Sequence, residues 1–354
     1  MDVHFQLESE KLSNEYLVKT EYYSLKHKNS QISDFFNNVK FLCEHITNMQ
    51  QVLSLSTIAH IEYTIAYANI LNRNYVAEVW AYGDELYLDK KQQMIGTLDI
   101  TPLFTSFNEL WDELLANRKR YGGTVRAMEV NDFMRQSLPS FSLYLVAVAR
   151  SAIAQCLDSN IFNNIAKHNT FRVCVGGYMN TIPTNCIYIE RKNKDNEQIL
   201  FKFKARPSED YIFEDYSELD FCSQELPKMN FSYSYFRNSQ LNDVSFDNSL
   251  LMSTNFSYAK MQNCKLKNTT IYGADFSHAY LVNASFENAM GRAGLPKKDK
   301  WQHVGFLPVS FRFADLTNVS FKNADLTGAD FSSAILTDTD FSGAILDGAI
   351  FDKS

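Results

Sequence analysis

The sequence predicts a two-domain chain: a mixed α+β domain over residues 1–208, then a solenoid of tight coils over 209–354. Three observations predict it. An apolar residue returns at nearly every fifth position from Tyr216 to Phe351. Before about residue 208 that period is absent, and strand-like and helix-like patterns alternate instead. At 354 residues with 45% hydrophobic content, the chain can bury more than one core.

Taken in order, the N-terminal elements begin with "EYLVKTEYYSLK", whose alternation predicts a strand. "SQISDFFNNVKFLCEHITNMQQVLSL" has helical spacing, opened by Ser30 or Ser33, and "TIAHIEYTIAYANIL" predicts a second helix. "YVAEVWAYGDELYLD" predicts a hairpin turning near Gly83 and Asp84. "SFNELWDELLANRKRY" predicts an amphipathic helix stopped by Gly122 and Gly123. "LPSFSLYLVAVARSAIAQCL" predicts a buried helix, followed by "NIFNNIAK". "FRVCVGGYM", "NCIYIERK" and "EQILFKFKA" predict a three-stranded meander, and Ala205–Asp210 the join to the solenoid.

Composition excludes several function classes. A net charge of -7 leaves no global basic footprint for direct nucleic-acid binding. The six cysteines are scattered without a CxxC pair, as in a chain from a reducing compartment. The opening "MDVHFQLESEK" has acids where a signal peptide needs basic then apolar residues. The most apolar stretch contains Arg150 and predicts a buried helix, not a membrane span. A cytoplasmic protein is expected.

The N-terminal domain carries no GxSxG, HExxH, GxxxxGK(S/T) or GxGxxG motif. Cys43 and His45, like His60 and Glu62, are two apart, which turns them to different faces of a helix. Cys174 and Cys186 meet across a hairpin in this reading, but two thiols alone make a weak metal site. The basic "NRKRYGG" complements a helix end or meets an anion. No cofactor, no metal site and no catalytic residue is assigned, although a dispersed active site leaves no local motif.

In the second half, 26 of the 28 fifth positions are apolar, and thirteen of the chain's 27 Phe fall on this one phase. Two residues before each apolar centre sits a small residue, as at Ala274, Ala279, Ala314 and Ala324. The remaining letters are mostly Asp, Asn, Ser, Thr and Gly, which turn corners. Large side chains then stack centrally while small ones fit against the wall.

"ADLTGADFSSAILTDTDFSGAIL" resembles the A(D/N)LXX word of the pentapeptide-repeat family. The resemblance runs from about Tyr211 to Phe351, and is looser where Tyr235, Lys260 and Tyr280 replace Asp or Asn. It implies a right-handed quadrilateral β-helix with four words per coil. Residues 20 apart should then stack, with Phe236, Phe256 and Phe276 in one column and coils about 4.8 Å apart.

The register breaks between Met290 and Pro308, a loop expected at about 290–308. Its Arg292, Lys297, Lys298 and Lys300, with Trp301 and His303, suit an anionic partner or a protein hot spot. As a solvated insertion it has no role, and Trp301 falls on the inward phase. Beyond the loop the sign reverses: seven Asp face Lys322 and Lys353 between Ala314 and Ser354. Asp315, Asp325, Asp330 and Asp340 are read as an acidic face, able to imitate duplex phosphates. The family resemblance implies that such members protect gyrase as DNA mimics.

The reading is therefore a non-catalytic protein-interaction module, its sharper form a bacterial topoisomerase-protecting or self-immunity protein. The alternatives are an enzyme whose N-terminal domain modifies a protein or peptide recruited by the solenoid, and a host-directed bacterial effector. The final "GAIFDKS" has no helix to cover the last coil, so a homodimer through the C-terminal coils is expected.

Overall fold

The computed structural model describes residues 2–52, 56–83, 92–177, 185–206, 210–293 and 308–352. The chain divides into two compact units, with the division in sequence between Glu190 and Arg191.

The first unit opens with α1, Val3–Gln51, capped by Asp2, whose carboxylate accepts from the His4 and Phe5 amides. The strand expected at "EYLVKTEYYSLK" is instead part of this helix. Its buried stripe is Phe5, Ser9, Ser13, Leu17, Thr20 and Ser24, a helical period written largely in small hydroxyl residues. A hydrophobic-pattern reading misses such a stripe. Ser9 and Thr20 can be buried because their hydroxyls donate to the carbonyls of Phe5 and Tyr16.

The second expected helix is β1, Ile58–Ile65, followed by the short α2, Tyr67–Leu71. β1 is the central strand and is buried on both faces, so its apolar run lacks the alternation that marks a half-exposed strand. β2, Val76–Tyr82, pairs antiparallel with β1 and with β3, Gln93–Asp99. The expected turn residue Asp84 and the expected second arm, 85–89, lie outside the described residues.

α3, Thr105–Asn117, and α4, Ala127–Asp158, occupy the segments expected to be helical. The glycine stop after α3 holds: Gly122 has φ of +57°, where an L side chain is strained. α4 is long and apolar enough to cross a membrane by length and composition. Here it packs on α1 and α3 and buries Phe141, Leu145, Ala149 and Ile153. β4, Lys167–Gly177, runs parallel to β1, and β5, Asn185–Arg191, completes the order β3-β2-β1-β4-β5. The expected meander is therefore not formed. β4 inserts beside β1, and its third segment is a helix.

That helix, α5, Asn196–Ala205, belongs to the second unit. Asp195 caps it by accepting from the Gln198 amide. The alternation in "ILFKFKA" is misleading, because Ile199, Leu200 and Phe203 pack on the core at helical spacing while Phe201 stays exposed. Phe203 lies in edge contact with Tyr211 and Phe231, within the first coils. The second unit consequently starts at Arg191, before the expected 208/209 boundary.

The rest of the second unit is a β-helix. Parallel bridges join residues 20 apart, as at Tyr235–Asn255 and Gln240–Lys260, so one coil holds four words. Phe236, Phe256 and Phe276 form the expected column, with ring centroids 5.1 Å apart at both steps. Adjacent columns meet edge to face, as in Phe276 with Phe286. The small inward slot also carries hydrogen bonds: Ser234, Ser239 and Thr254 donate to the carbonyls of Tyr211, Tyr216 and Phe231 one coil back. Bridges on either side of 294–307 lose nothing in register. Met290 pairs with Asp325, a step of 35 in place of 20.

Candidate interaction surface

Two residues after each apolar centre the backbone turns a corner in the left-handed region. φ is +58° at Asn263, +62° at Asn283, +60° at Asn318 and +73° at Gly328. Asn and Gly tolerate this conformation with little penalty. One corner uses them as a structural ladder: Asn263 donates to Asp243, Asn283 to Asn263 and Asn318 to Asn283. Those amides are committed to the neighbouring coil.

The adjacent corner is different. Its slots hold Tyr258, His278 and Phe313, at φ of +60°, +57° and +58°. The rings stack outside the solenoid, Tyr258 on His278 at 4.5 Å and His278 on Phe313 at 4.8 Å, with planes within 5° and 9° of parallel. Tyr258 is 37% exposed and Phe313 48%. Arg237 lies over the Tyr258 ring at 4.6 Å, and Arg312 over the Phe313 ring at 5.6 Å. Arg237 also donates to Ser257, and Arg312 faces Asp330 at 3.8 Å. Lys260 and Tyr280 stand two residues beyond Tyr258 and His278, both exposed.

Ring stacking by itself does not account for this ladder. Left-handed backbone costs a residue with a β-carbon about 1–2 kcal/mol. A stacked aromatic contact contributes about 0.5–1.5 kcal/mol. Two contacts among three such residues do not outweigh the backbone cost, whereas Asn or Gly would avoid it.

The acidic set falls on more than one ladder, as spacings that are not multiples of 20 require. Asp315, Asp325, Asp330 and Asp340 pair with Ile335, Ile345, Ile350 and Ser320, four separate ladders. Each carboxylate accepts from the amide two residues on, at Thr317, Thr327, Ser332 and Ser342. Asp340 is held below the ordinary carboxylate range by its bonds from Ser342, with Lys322 at 3.2 Å adding to the effect. These acids are corner formers first. Of the expected loop residues, Arg292 is half-buried, with its Nε unpartnered among the described residues. Lys297, Lys298, Lys300, Trp301 and His303 lie outside the described residues.

A cleft of about 350 Å³ lies between α5 and the first coil. Its charges are already matched, Arg191 with Glu214 at 2.6 Å and Lys194 with Asp215 at 3.0 Å. Asp215 also accepts from the Arg191 amide, and the Tyr211 hydroxyl bonds the Lys202 and Arg206 carbonyls at the end of α5. The cleft is the seam of a cap.

In the first unit, Cys43 is buried and His45 exposed, so they face apart as expected. Cys174 and Cys186 do come together, on neighbouring strands, close enough to influence each other's ionisation, and the Cys186 thiol donates to the Tyr188 carbonyl. The proximity of the two thiols raises Cys174 and lowers Cys186, which Arg172 and Arg150 also favour as thiolate. Among the described residues no group of three His, Cys, Asp or Glu is placed to hold a metal ion.

The aromatic corner was legible in one respect that the reading passed over. Tyr258, His278 and Phe313 recur at the coil period in a slot filled mostly by Asn, Asp, Ser or Gly, which Phe213 and Tyr233 also occupy as a stacked pair on another corner.

Comparison with known proteins addresses the second unit only. The family described as Pentapeptide repeats matches residues 230–268 and 310–352 in eight copies. Similar solved structures include Rfr23, a pentapeptide repeat protein from the cyanobacterium Cyanothece 51142. It is 16% identical over 44% of this chain and 99% of that one, with a TM-score of 0.27. HetL, involved in heterocyst differentiation regulation in the cyanobacterium Nostoc, is 16% identical over 45% and 98%, at 0.15. Full-length QnrB1, a plasmid-mediated fluoroquinolone resistance protein, is 13% identical over 39% and 94%, at 0.12. No curated protein matches the sequence.

Proposed function

From a C-terminal half built of pentapeptide repeats, we propose that this protein is a non-catalytic interaction module whose solenoid presents a rigid surface to a protein partner. The carrying observation is the continuity of the four bridge ladders from Asp210 to Ile350, unbroken in register across the insertion. A solenoid so tied to its neighbours holds outward side chains in fixed order. Affinity capture with the full chain tests it. A partner retained specifically and stoichiometrically supports the module, and repeated capture of nothing removes it.

The sharper form is protection of a topoisomerase such as gyrase by acidic mimicry of DNA. The acid surplus after Ala314 supports it; the spread of those acids over four ladders weighs toward the simpler reading. A supercoiling assay decides between them: no effect of stoichiometric protein on gyrase removes mimicry. The basic segment at 290–308 is proposed as a second contact, tested by capture with residues 294–308 excised, which leaves the coil bonds of Met290, Gly291 and Ala293 in place. Pairing of two copies through the C-terminal coils is also proposed, supported by the partly exposed Leu336, Phe341, Leu346 and Phe351. A strictly monomeric mass in light scattering at micromolar concentration removes it.

A further inference from the structure

We infer that the corner carrying Arg237, Tyr258, His278, Phe313 and Arg312 is the docking surface of the module, and that it takes an extended acidic segment of a partner protein. The inference rests on the interaction-module reading and names its surface and partner chemistry.

The ring faces are already used. Tyr258, His278 and Phe313 cover one another at 4.5 and 4.8 Å, and guanidinium groups lie over Tyr258 and Phe313. No base or ring can insert between layers so close. What points outward is the ring edge, the positive rim of the aromatic quadrupole. Two guanidinium groups and Lys260 add formal positive charge along the same corner of a chain whose net charge is -7. Positive edges with arginine forks suit carboxylates, and the apolar ring bodies suit an aliphatic side chain between them. Asp330 holds one side of Arg312 at 3.8 Å and leaves room for a second carboxylate on a group with five donors.

The spacing sets the segment. Arg237 and Arg312 flank centres Phe236 and Phe311, three coil steps apart along one bridge ladder. At the ordinary strand spacing their backbones are about 15 Å apart, roughly four residues of extended chain. Residues four apart in a strand point to the same side. The matching segment therefore has acids four apart with an apolar side chain midway, as in Glu-Ser-Leu-Ser-Glu. Single-stranded nucleic acid would need open ring faces for its bases.

The test is fluorescence anisotropy of the full chain with a labelled peptide containing Glu-Ser-Leu-Ser-Glu. Binding is expected, and should weaken at least ten-fold in the triple variant Tyr258→Asn, His278→Asn, Phe313→Asn and in the double variant Arg237→Glu, Arg312→Glu. Asn occupies the same slot elsewhere in the solenoid, so the triple variant keeps its backbone, which circular dichroism verifies. Asn263→Ser with Asn283→Ser, on the neighbouring corner, should bind as the parent does. Absence of peptide binding, binding by both corner variants equal to the parent's, or tighter binding of an oligo-thymidine strand each overturns the inference. A partner captured equally by parent and corner variants defeats the docking surface and leaves the module standing; capture of nothing defeats the module itself.

Discussion

Phe276 and Phe311 stack with ring centroids 5.2 Å apart and planes within 8° of parallel, although the insertion lies between them in the chain. The column therefore passes through the interruption as if it were absent. Phe276 has no solvent exposure and touches Phe256, Phe286 and Phe311. Phe276→Ala should cost about 3–5 kcal/mol, the range for a large buried aromatic. Equilibrium denaturation of the full chain measures it, and a loss below about 1 kcal/mol would show that neighbouring coils close the cavity.

Across the insertion the bridge step grows from 20 to 35, so fifteen residues are added, three whole words in length. Excision of residues 294–308 sets Val309 directly after Ala293 and keeps the five-residue phase. The excised chain should fold with an unchanged β signature in circular dichroism and an unfolding midpoint at or above that of the parent, since loop closure no longer opposes pairing. A collapsed or aggregating product would mean that the segment is part of the core.

Asp215 and Lys194 form a buried pair in which Asp215 also fixes the Arg191 and Ser217 amides. Asp215→Asn leaves the Lys194 ammonium without its counter-charge, which for a buried pair costs about 3 kcal/mol. The loss should be local. Hydrogen exchange should accelerate in α5 and the first coil and stay unchanged beyond about Phe276. Uniform acceleration along the solenoid would show that α5 is no separate cap.

Alkylation by iodoacetamide near neutral pH should label Cys186 first. Its thiol is lowered by the Cys174 contact and by Arg172 and Arg150, and it is partly exposed. Burial pushes the Cys43 and Cys264 thiols well up and Cys156 up to about 12, so these should react only on unfolding. Peptide mass mapping reads the order; labelling of Cys43 as fast as Cys186 would refute the packing of α1.

The solenoid could be read from sequence because its signal is local. Every word states its own inward and outward positions, so the Phe236 column and the corner-forming Asp residues follow from the period alone. The first unit lacked that redundancy. Ser9, Ser13, Thr20 and Ser24 hide a helical stripe in polar letters, β1 hides its alternation because it is covered on both faces, and Phe203 decides a helix through a contact in another part of the chain. The aromatic corner was overlooked for a different reason. A word-by-word reading scores each slot by itself, whereas Tyr258, His278 and Phe313 gain meaning only when stacked at the coil period.

The most direct test of whether that corner exists for binding and not for folding is thermal unfolding of the Tyr258→Asn, His278→Asn, Phe313→Asn variant beside the parent. Relief of left-handed strain offsets the lost stacking. The account predicts an unfolding midpoint equal to or above the parent's, together with lost capture of the partner. A midpoint several degrees below the parent's, with capture intact, would contradict it.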